Sequence, residues 1–135
     1  MSACYIAILL SCSSIEFVLA GELSRDTQII SDVINGKDLH KQTASIIHQC
    51  SEDSVTKDLR QGSKKFSFAP IYGGRGAGEA PHVQNYFSEF FNIYEGLGAY
   101  HERLAKGVLK NGIVQTPSGR QFFWPNVKRL KGNRT

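Results

Sequence analysis

The feature that most constrains this chain of 135 residues is a row of four side chains spaced four residues apart: Arg60, Lys64, Phe68 and Tyr72. Because an α-helix has about 3.6 residues per turn, a step of four drifts by only about 40° and keeps the row on one face. A second row, on the opposite side of the same helical wheel, contains Val55, Leu59, Gly62, Phe66 and Ala69. The pattern predicts a helix that buries the second row and presents two cations and two aromatic rings.

This helix is predicted to begin at a cap near Ser51 and to end or kink near Ala69, because Pro70 cannot continue it. Cations followed by aromatic rings and glycines suit a nucleotide, which has phosphates, a sugar and a base. The alternative is a solvated basic face with core phenylalanines, which is the usual meaning of such spacing.

The spacing Arg60-x3-Lys64-x3-Phe68-x3-Tyr72-Gly73 resembles motif B of the family A DNA polymerases, the DNA polymerase I type, and FSFAPIYGG resembles phage-type members. The resemblance implies that Arg60 and Lys64 hold the incoming triphosphate and that Phe68 packs on the incoming nucleotide. It implies that Tyr72 stacks near the template base, with Gly73 beside it at the DNA.

The segment SCSSIEFVLAGELSRD resembles motif A of the same family, commonly DxSQIELR. Glu16 falls on the glutamate that crowds the sugar 2′ position, so it belongs with the nucleotide-binding residues. Ser11 stands where the metal-binding aspartate is expected, so no catalytic residue is intact. The resemblance implies that the parent enzyme uses Mg²⁺, for which carboxylates are the natural ligands. The aspartates that would bind this ion are not present in this chain. Either this copy is inactive or the first dozen residues are not the genuine upstream sequence; we favour the second.

Two further segments carry the resemblance. GKDLHKQTAS is similar to the family pattern D-[IL]-H-x-x-T-A, which implies that His40 contacts the triphosphate near a helix N-terminus. Without that resemblance, a single histidine here would be interpreted as a surface hydrogen-bonding residue. TPSGRQFFWP is similar to a family hairpin in which Arg120 approaches the template-primer backbone. The sequence contains no His-Asp-Glu triplet, so we expect a fragment that also lacks the second catalytic aspartate and the rest of the polymerase.

The remaining pattern predicts an α+β fold that is mainly α, and the family resemblance implies that it forms part of the palm and fingers of a right-hand polymerase. The resemblance implies that residues 1–20 are palm-like and 21–110 the helical fingers, and 111–135 would form a hairpin and basic tail. The predicted elements are a strand from Cys4 to Leu10, helices from a Ser13-x-x-Glu16 capping box to Ala20, Ser24 to Ile34, Leu39 to Cys50, Pro81 to Tyr94 and Ala99 to Lys110, and a hairpin of 114–116 with 121–124. Asp38 is predicted to cap the third of these helices, and Asn111-Gly112 to end the last. One stripe of the helix from Pro81 is predicted to be buried in the core: Val83, Tyr86, Phe87, Phe90, Phe91 and Tyr94.

Charge and cysteine content narrow the function classes. The net charge is +4, and eight Lys or Arg but no acid occur from Arg103 onward, which favours nucleic acid as a partner; the alternative is a solvated basic tail. The family resemblance implies DNA primer-template and deoxynucleoside triphosphates as partners, together with the missing remainder of the polymerase. Three cysteines without a CxxC pair favour a reduced, cytoplasmic protein, and the apolar N-terminal run is too short for a membrane span. The alternatives are a non-catalytic nucleic-acid-binding module and, more distantly, a small secreted protein.

Overall fold

The structure, a computed structural model, describes residues 14–126. Its elements are α1 (Ile15–Ser24), α2 (Thr27–Ile34), α3 (Leu39–Ile47), a 3₁₀ turn (Glu52–Ser54), α4 (Lys57–Gly62), α5 (Lys64–Phe68), α6 (Pro81–Ile93), α7 (Glu95–Asn111), β1 (Ile113–Gln115) and β2 (Gln121–Phe123). The mainly helical fold class with a small antiparallel hairpin is confirmed. The predicted strand from Cys4 to Leu10 and the basic tail from 127 onward lie outside the described residues. The predicted capping box at Ser13 is wrong, because the N-cap of α1 is Ser14, whose side chain makes no cap hydrogen bond.

Two aspartates determine where the second and third helices begin. The Asp26 carboxylate accepts hydrogen bonds from the backbone N–H groups of Gln28 and Ile29, so α2 begins at Thr27 and not at Ser24. Helix α1 instead continues past Ala20 as far as Ser24. The Asp38 carboxylate accepts the N–H of Lys41, so α3 begins at Leu39 as predicted. A side-chain acceptor at the N-cap satisfies N–H groups that have no partner inside the helix.

The segment from 51 to 73, which contains the residues that resemble motif B and is named the motif B segment, differs most from its predicted structure. Ser51 opens only the short 3₁₀ turn, and Thr56 caps α4 by accepting the N–H of Leu59 at 3.2 Å. A break at Ser63 then separates α4 from α5, so motif B occupies two short helices and not one long one.

The predicted buried row of this segment is partly wrong. Phe66 and Ala69 pack against the core, but Gly62 is exposed, whereas Ser63 and Ser67 are completely buried. The reason is that α3 lies against this segment and offers polar partners, so hydroxyl groups and not apolar groups occupy the contact.

Aromatic side chains of α6 form the centre of the core. Val83, Tyr86, Phe87, Phe90 and Tyr94 are buried as predicted, and Phe91 is partly buried against them. Their rings meet edge to face, for example Phe90 and Tyr94 with centroids 4.7 Å apart. The same cluster contains Phe17 and Ala20 of α1, Ile29 of α2, Leu39 of α3 and Leu97 of α7, and Phe66 and Ala69 pack against it.

Helix α7 begins at Glu95, earlier than the predicted Ala99, because Asp26 accepts the backbone N–H of Leu97 at 3.0 Å. It ends as predicted at Asn111, where Gly112 has a φ of +65°. The hairpin follows directly, with Ile113 opposite Phe123. Within residues 14–126, no helix is long and apolar enough to cross a membrane.

Candidate nucleotide-binding site

Helix α3 and the motif B segment meet along a line of polar contacts, and this line defines the candidate site. Each contact joins one side chain of α3 or its caps to one side chain of α4, α5 or the break between them. The pairs are Asp38 Oδ2 with Arg60 Nε at 2.8 Å, His40 Nδ1 with Ser67 Oγ at 2.6 Å, and His48 Nε2 with Ser63 Oγ at 3.1 Å. The two sides therefore form a single unit, which presents the cations of motif B beside the start of α3.

Arg60 is the first predicted triphosphate-binding residue, and in the structure it forms an ion pair with Asp38. Both side chains remain partly exposed, at 31% and 40%. Partial burial alone would raise the pKa of Asp38, but hydrogen bonds from Arg60 and from the Lys41 N–H, together with the Arg60 charge, lower it. Asp38 thus stays ionised and holds the guanidinium group at the N-terminus of α3.

His40 is buried, with 2% of its surface exposed, so its interpretation as a surface hydrogen-bonding residue is wrong. Its ring lies between Phe17 and Phe68, at centroid distances of 5.5 and 4.9 Å. Burial lowers the pKa of His40, and the positive charges of Arg60 and Lys64 lower it further, although Asp38 and Glu16 act in the opposite direction. These surroundings therefore favour the neutral imidazole ring over the imidazolium ion.

Five of the predicted nucleotide-binding residues lie in one neighbourhood. Lys64 begins α5 and is half-buried, and Glu16 lies in the first turn of α1, close enough for its charge to act on His40. The ring of Phe68 is partly buried, because it packs on both His40 and Phe17. The structure therefore brings together Glu16, His40, Arg60, Lys64 and Phe68.

Tyr72 lies in the turn that follows α5 and is 77% exposed, so its ring is free to contact a large partner. The next residue, Gly73, has a φ of +88°, which a glycine adopts without strain. His101 of α7 donates from Nε2 to the carbonyl of Ile71 at 2.9 Å, just before Tyr72. This bond fixes the backbone that carries the exposed ring.

Arg120 lies in the hairpin loop and is exposed. Its guanidinium carbon is 5.0 Å from the ring centre of Phe122, which stacks in turn on Trp124 with an interplanar angle of 23°. Phe123 and Trp124 are 64% and 44% exposed. The hairpin therefore presents a cation together with aromatic rings, and no described hydrogen bond or ion pair joins Arg120 to the motif B segment.

The sequence interpretation missed the serines of motif B and the second histidine of α3. Ser63 and Ser67 are four residues apart, and His40 and His48 are eight apart, so each pair recurs on one side of its segment. This spacing is visible in the sequence. The sequence does not show, however, that the serine side of the motif B segment and the histidine side of α3 face each other.

A sequence profile of DNA polymerase family A matches residues 4–135. The chain is 29% identical over 123 residues to DNA polymerase theta of Mus musculus, covering 86% of this chain and 5% of that protein. It is 28% identical over 127 residues to DNA polymerase I of Pseudomonas aeruginosa, covering 89% and 14%. A solved structure, the polymerase domain of Pol1 from M. smegmatis in complex with DNA primer-template and dNTP, is 28% identical and superimposes with a TM-score of 0.62 over 84% of this chain and 21% of that one.

The fold resembles a segment of a polymerase domain. The chain belongs to DNA polymerase family A. It spans 5% and 14% of the length of the two relatives above. The phage-type resemblance and the cytoplasmic location stay predictions.

Polymerases of this family are generally metal-dependent. In residues 14–126, no group of three or more His, Cys, Asp or Glu side chains could hold a metal ion. Ser11, the position of the expected motif A aspartate, lies outside that range. The described residues therefore do not fit a magnesium site, and we assign them no metal-dependent step.

Proposed function

We propose that this chain forms the nucleotide-binding part of a DNA-directed DNA polymerase, whose reaction adds deoxynucleotides to a primer 3′-end under the direction of a template and releases pyrophosphate. The observation that carries this proposal is the convergence of Arg60, Lys64 and His40, from two separate segments, beside the ring of Phe68. Three groups able to face phosphate next to an aromatic ring match the parts of a nucleoside triphosphate.

Each residue has a distinct role in this proposal. Arg60 and Lys64 bind the phosphates, and His40 adds a hydrogen bond from the side of α3. Phe68 packs on the nucleotide and Glu16 restricts the 2′ position of the sugar. Tyr72 and Gly73 contact the template, and Arg120 contacts the DNA backbone. The M. smegmatis relative was solved with primer-template and dNTP, which supports both classes of partner.

The ion pair of Arg60 gives the site a testable electrostatic property. Asp38 neutralises part of the positive charge in the free protein, so a triphosphate must compete with this carboxylate for the guanidinium group. Lys64 has no ion pair with any of the described residues, so its charge attracts phosphate more strongly than the charge of Arg60 does. We therefore assign Lys64 the larger contribution to affinity.

The test is a calorimetric titration of the purified chain with Mg-dATP, repeated with Lys64→Ala. The matched control is Lys65→Ala, because the exposed Lys65 is the next residue and its ammonium group lies 4.6 Å from the Phe66 ring centre. The proposal expects binding that Lys64→Ala weakens at least tenfold and Lys65→Ala weakens much less. Equal losses in both variants, with unchanged helical circular dichroism, would contradict a specific triphosphate site.

A second candidate function is supported by the hairpin, whose exposed Arg120, Phe122 and Trp124 resemble a surface for stacking nucleic-acid bases. A non-catalytic nucleic-acid-binding module would bind DNA with a strong salt dependence, irrespective of dATP and of Lys64→Ala. DNA binding without any dATP binding would favour this function over the first.

A further inference from the structure

Ser67 has one hydroxyl hydrogen and two acceptors within reach. Its Oγ lies 2.6 Å from Nδ1 of His40 and 3.0 Å from the carbonyl oxygen of Lys64. Ser67 is completely buried and His40 nearly so, and the single hydroxyl hydrogen of Ser67 can be donated to only one of these two acceptors. The acceptor that receives it determines which ring nitrogen of a neutral His40 carries a hydrogen.

The distances favour donation to the histidine. Hydrogen bonds from N–H to oxygen fall at about 2.7–3.2 Å, whereas hydroxyl groups that donate to oxygen approach to about 2.5 Å. The separation of 2.6 Å is shorter than the N–H to oxygen range, which favours O–H donating to Nδ1 over Nδ1–H donating to Oγ. When Nδ1 is the acceptor, the hydrogen of the neutral ring is on Nε2.

We propose that Ser67 is a positioning residue that fixes His40 as its Nε2–H tautomer, so that a neutral imidazole ring presents an N–H donor to the triphosphate. This inference rests on the proposed nucleotide-binding function. A phosphate oxygen accepts a hydrogen bond, so the ring has to offer it an N–H group, whereas the surroundings of His40 oppose an imidazolium ion. The neutral Nε2–H tautomer meets both requirements. Arg60 of α4 and Lys64 of α5 oppose the positive ring, and only Asp38 and Glu16 favour it.

The first test measures the ring itself. Nitrogen NMR of His40 at pH 8 is expected to show the Nε2–H tautomer in the native chain, and a mixture of tautomers in Ser67→Ala. A hydrogen bond donated to Nδ1 stabilises the neutral ring, so its loss raises the pKa of His40 in Ser67→Ala. A native ring with its hydrogen on Nδ1, or a pKa of His40 that stays the same or falls in Ser67→Ala, would overturn the proposal.

Ser63→Ala is the matched control, because Ser63 is equally buried, lies four residues earlier and bonds His48 in place of His40. Both variants lose one buried hydroxyl group and we expect similar losses of stability. Only Ser67→Ala is expected to change the pKa and tautomer of His40. The same changes in Ser63→Ala would show a general structural effect and would refute the specific role of Ser67.

The second test measures Mg-dATP affinity at pH 8 and at a lower pH at which NMR shows His40 to be protonated in both chains. In Ser67→Ala we expect affinity at pH 8 to fall in proportion to the fraction of rings left in the Nε2–H tautomer, about a twofold loss for an equal mixture, and a smaller loss at the lower pH, where the imidazolium ion carries Nε2–H without help. A loss that is equal at both pH values would refute the proposal. If the native chain does not bind dATP, the nucleotide-binding function fails, whereas the NMR result still decides whether Ser67 fixes the tautomer.

Discussion

Asp38 and Arg60 form an ion pair with 2.8 Å between Oδ2 and Nε, and the other oxygen of the same carboxylate caps helix α3. One side chain therefore starts the helix that carries His40 and also holds a cation of motif B. Because both functions belong to a single carboxylate, substitutions can separate them.

We expect Asp38→Ala to reduce the free energy of unfolding by about 1–2 kcal/mol, because it removes an N-cap worth about 1 kcal/mol and a partly exposed ion pair worth up to about 1 kcal/mol. Asp38→Asn should cost less, because an amide oxygen still caps the helix. Urea denaturation of both variants measures the difference. Equal losses would show that the cap contributes nothing.

The same carboxylate predicts an acid dependence. The pKa of Asp38 is lower in the folded chain than its ordinary value of 3.8, so its contribution to stability is complete above that value and is lost as the pH falls through the folded pKa. Native and Asp38→Asn chains should therefore differ in stability at pH 6, and the difference should shrink as the pH falls below 3.8. A difference that stays constant throughout acid titration would contradict this assignment.

Tyr94 donates its hydroxyl hydrogen to the Asp32 carboxylate at 2.7 Å, and Asp32 is only 8% exposed. Tyr94→Phe should cost about 1–3 kcal/mol, because it leaves a buried charged acceptor short of a donor. Tyr86→Phe is the matched control, since Tyr86 lies on α6, which ends directly before Tyr94, and its hydroxyl contacts the neutral Thr43 hydroxyl at 3.0 Å. Its loss should be smaller, about 0.5–1.5 kcal/mol, in the same denaturation experiment.

Gly76 has a φ of +72°, and a Cβ atom added there would lie 2.6 Å from the Phe87 ring. Gly78 has a similar φ of +84°, but a Cβ atom added at this position would meet nothing within 4 Å. Both alanine variants incur the backbone strain of about 1–2 kcal/mol, and only Gly76→Ala also displaces a core ring. Thermal denaturation should therefore show a larger loss for Gly76→Ala.

The sequence predicted the elements whose local signals agree with one another. Asp38 as a cap, Asn111-Gly112 as a stop and the aromatic stripe of α6 are each confirmed, because caps, glycines and a buried aromatic face act over a few residues. The family resemblance selected Glu16, His40, Arg60, Lys64 and Phe68, which lie in one neighbourhood, and their binding roles stay predictions.

The errors have a shared physical cause, which is contact between segments distant in sequence. Apolar periodicity predicted Gly62 on the buried side of motif B, but hydrogen bonds from α3 bury Ser63 and Ser67 instead. Likewise, Asp26 starts α7 early by accepting an N–H that is 71 residues away in the chain. A pattern within one helix contains no information on polar partners from another.

Arg120 offers the clearest test of a DNA contact that is independent of the nucleotide site. If its guanidinium group binds a backbone phosphate, Arg120→Ala should weaken primer-template binding similarly for all sequences and reduce the slope of log K against log salt by about one. Lys106→Ala, an exposed cation of α7, serves as the control for a general change in net charge. Fluorescence anisotropy over a series of salt concentrations measures both slopes.

Because Arg120 also contacts the Phe122 ring, loss of this contact would lower affinity without changing the slope. A reduced affinity with an unchanged slope would therefore assign Arg120 to orienting the aromatic rings and not to the phosphate contact.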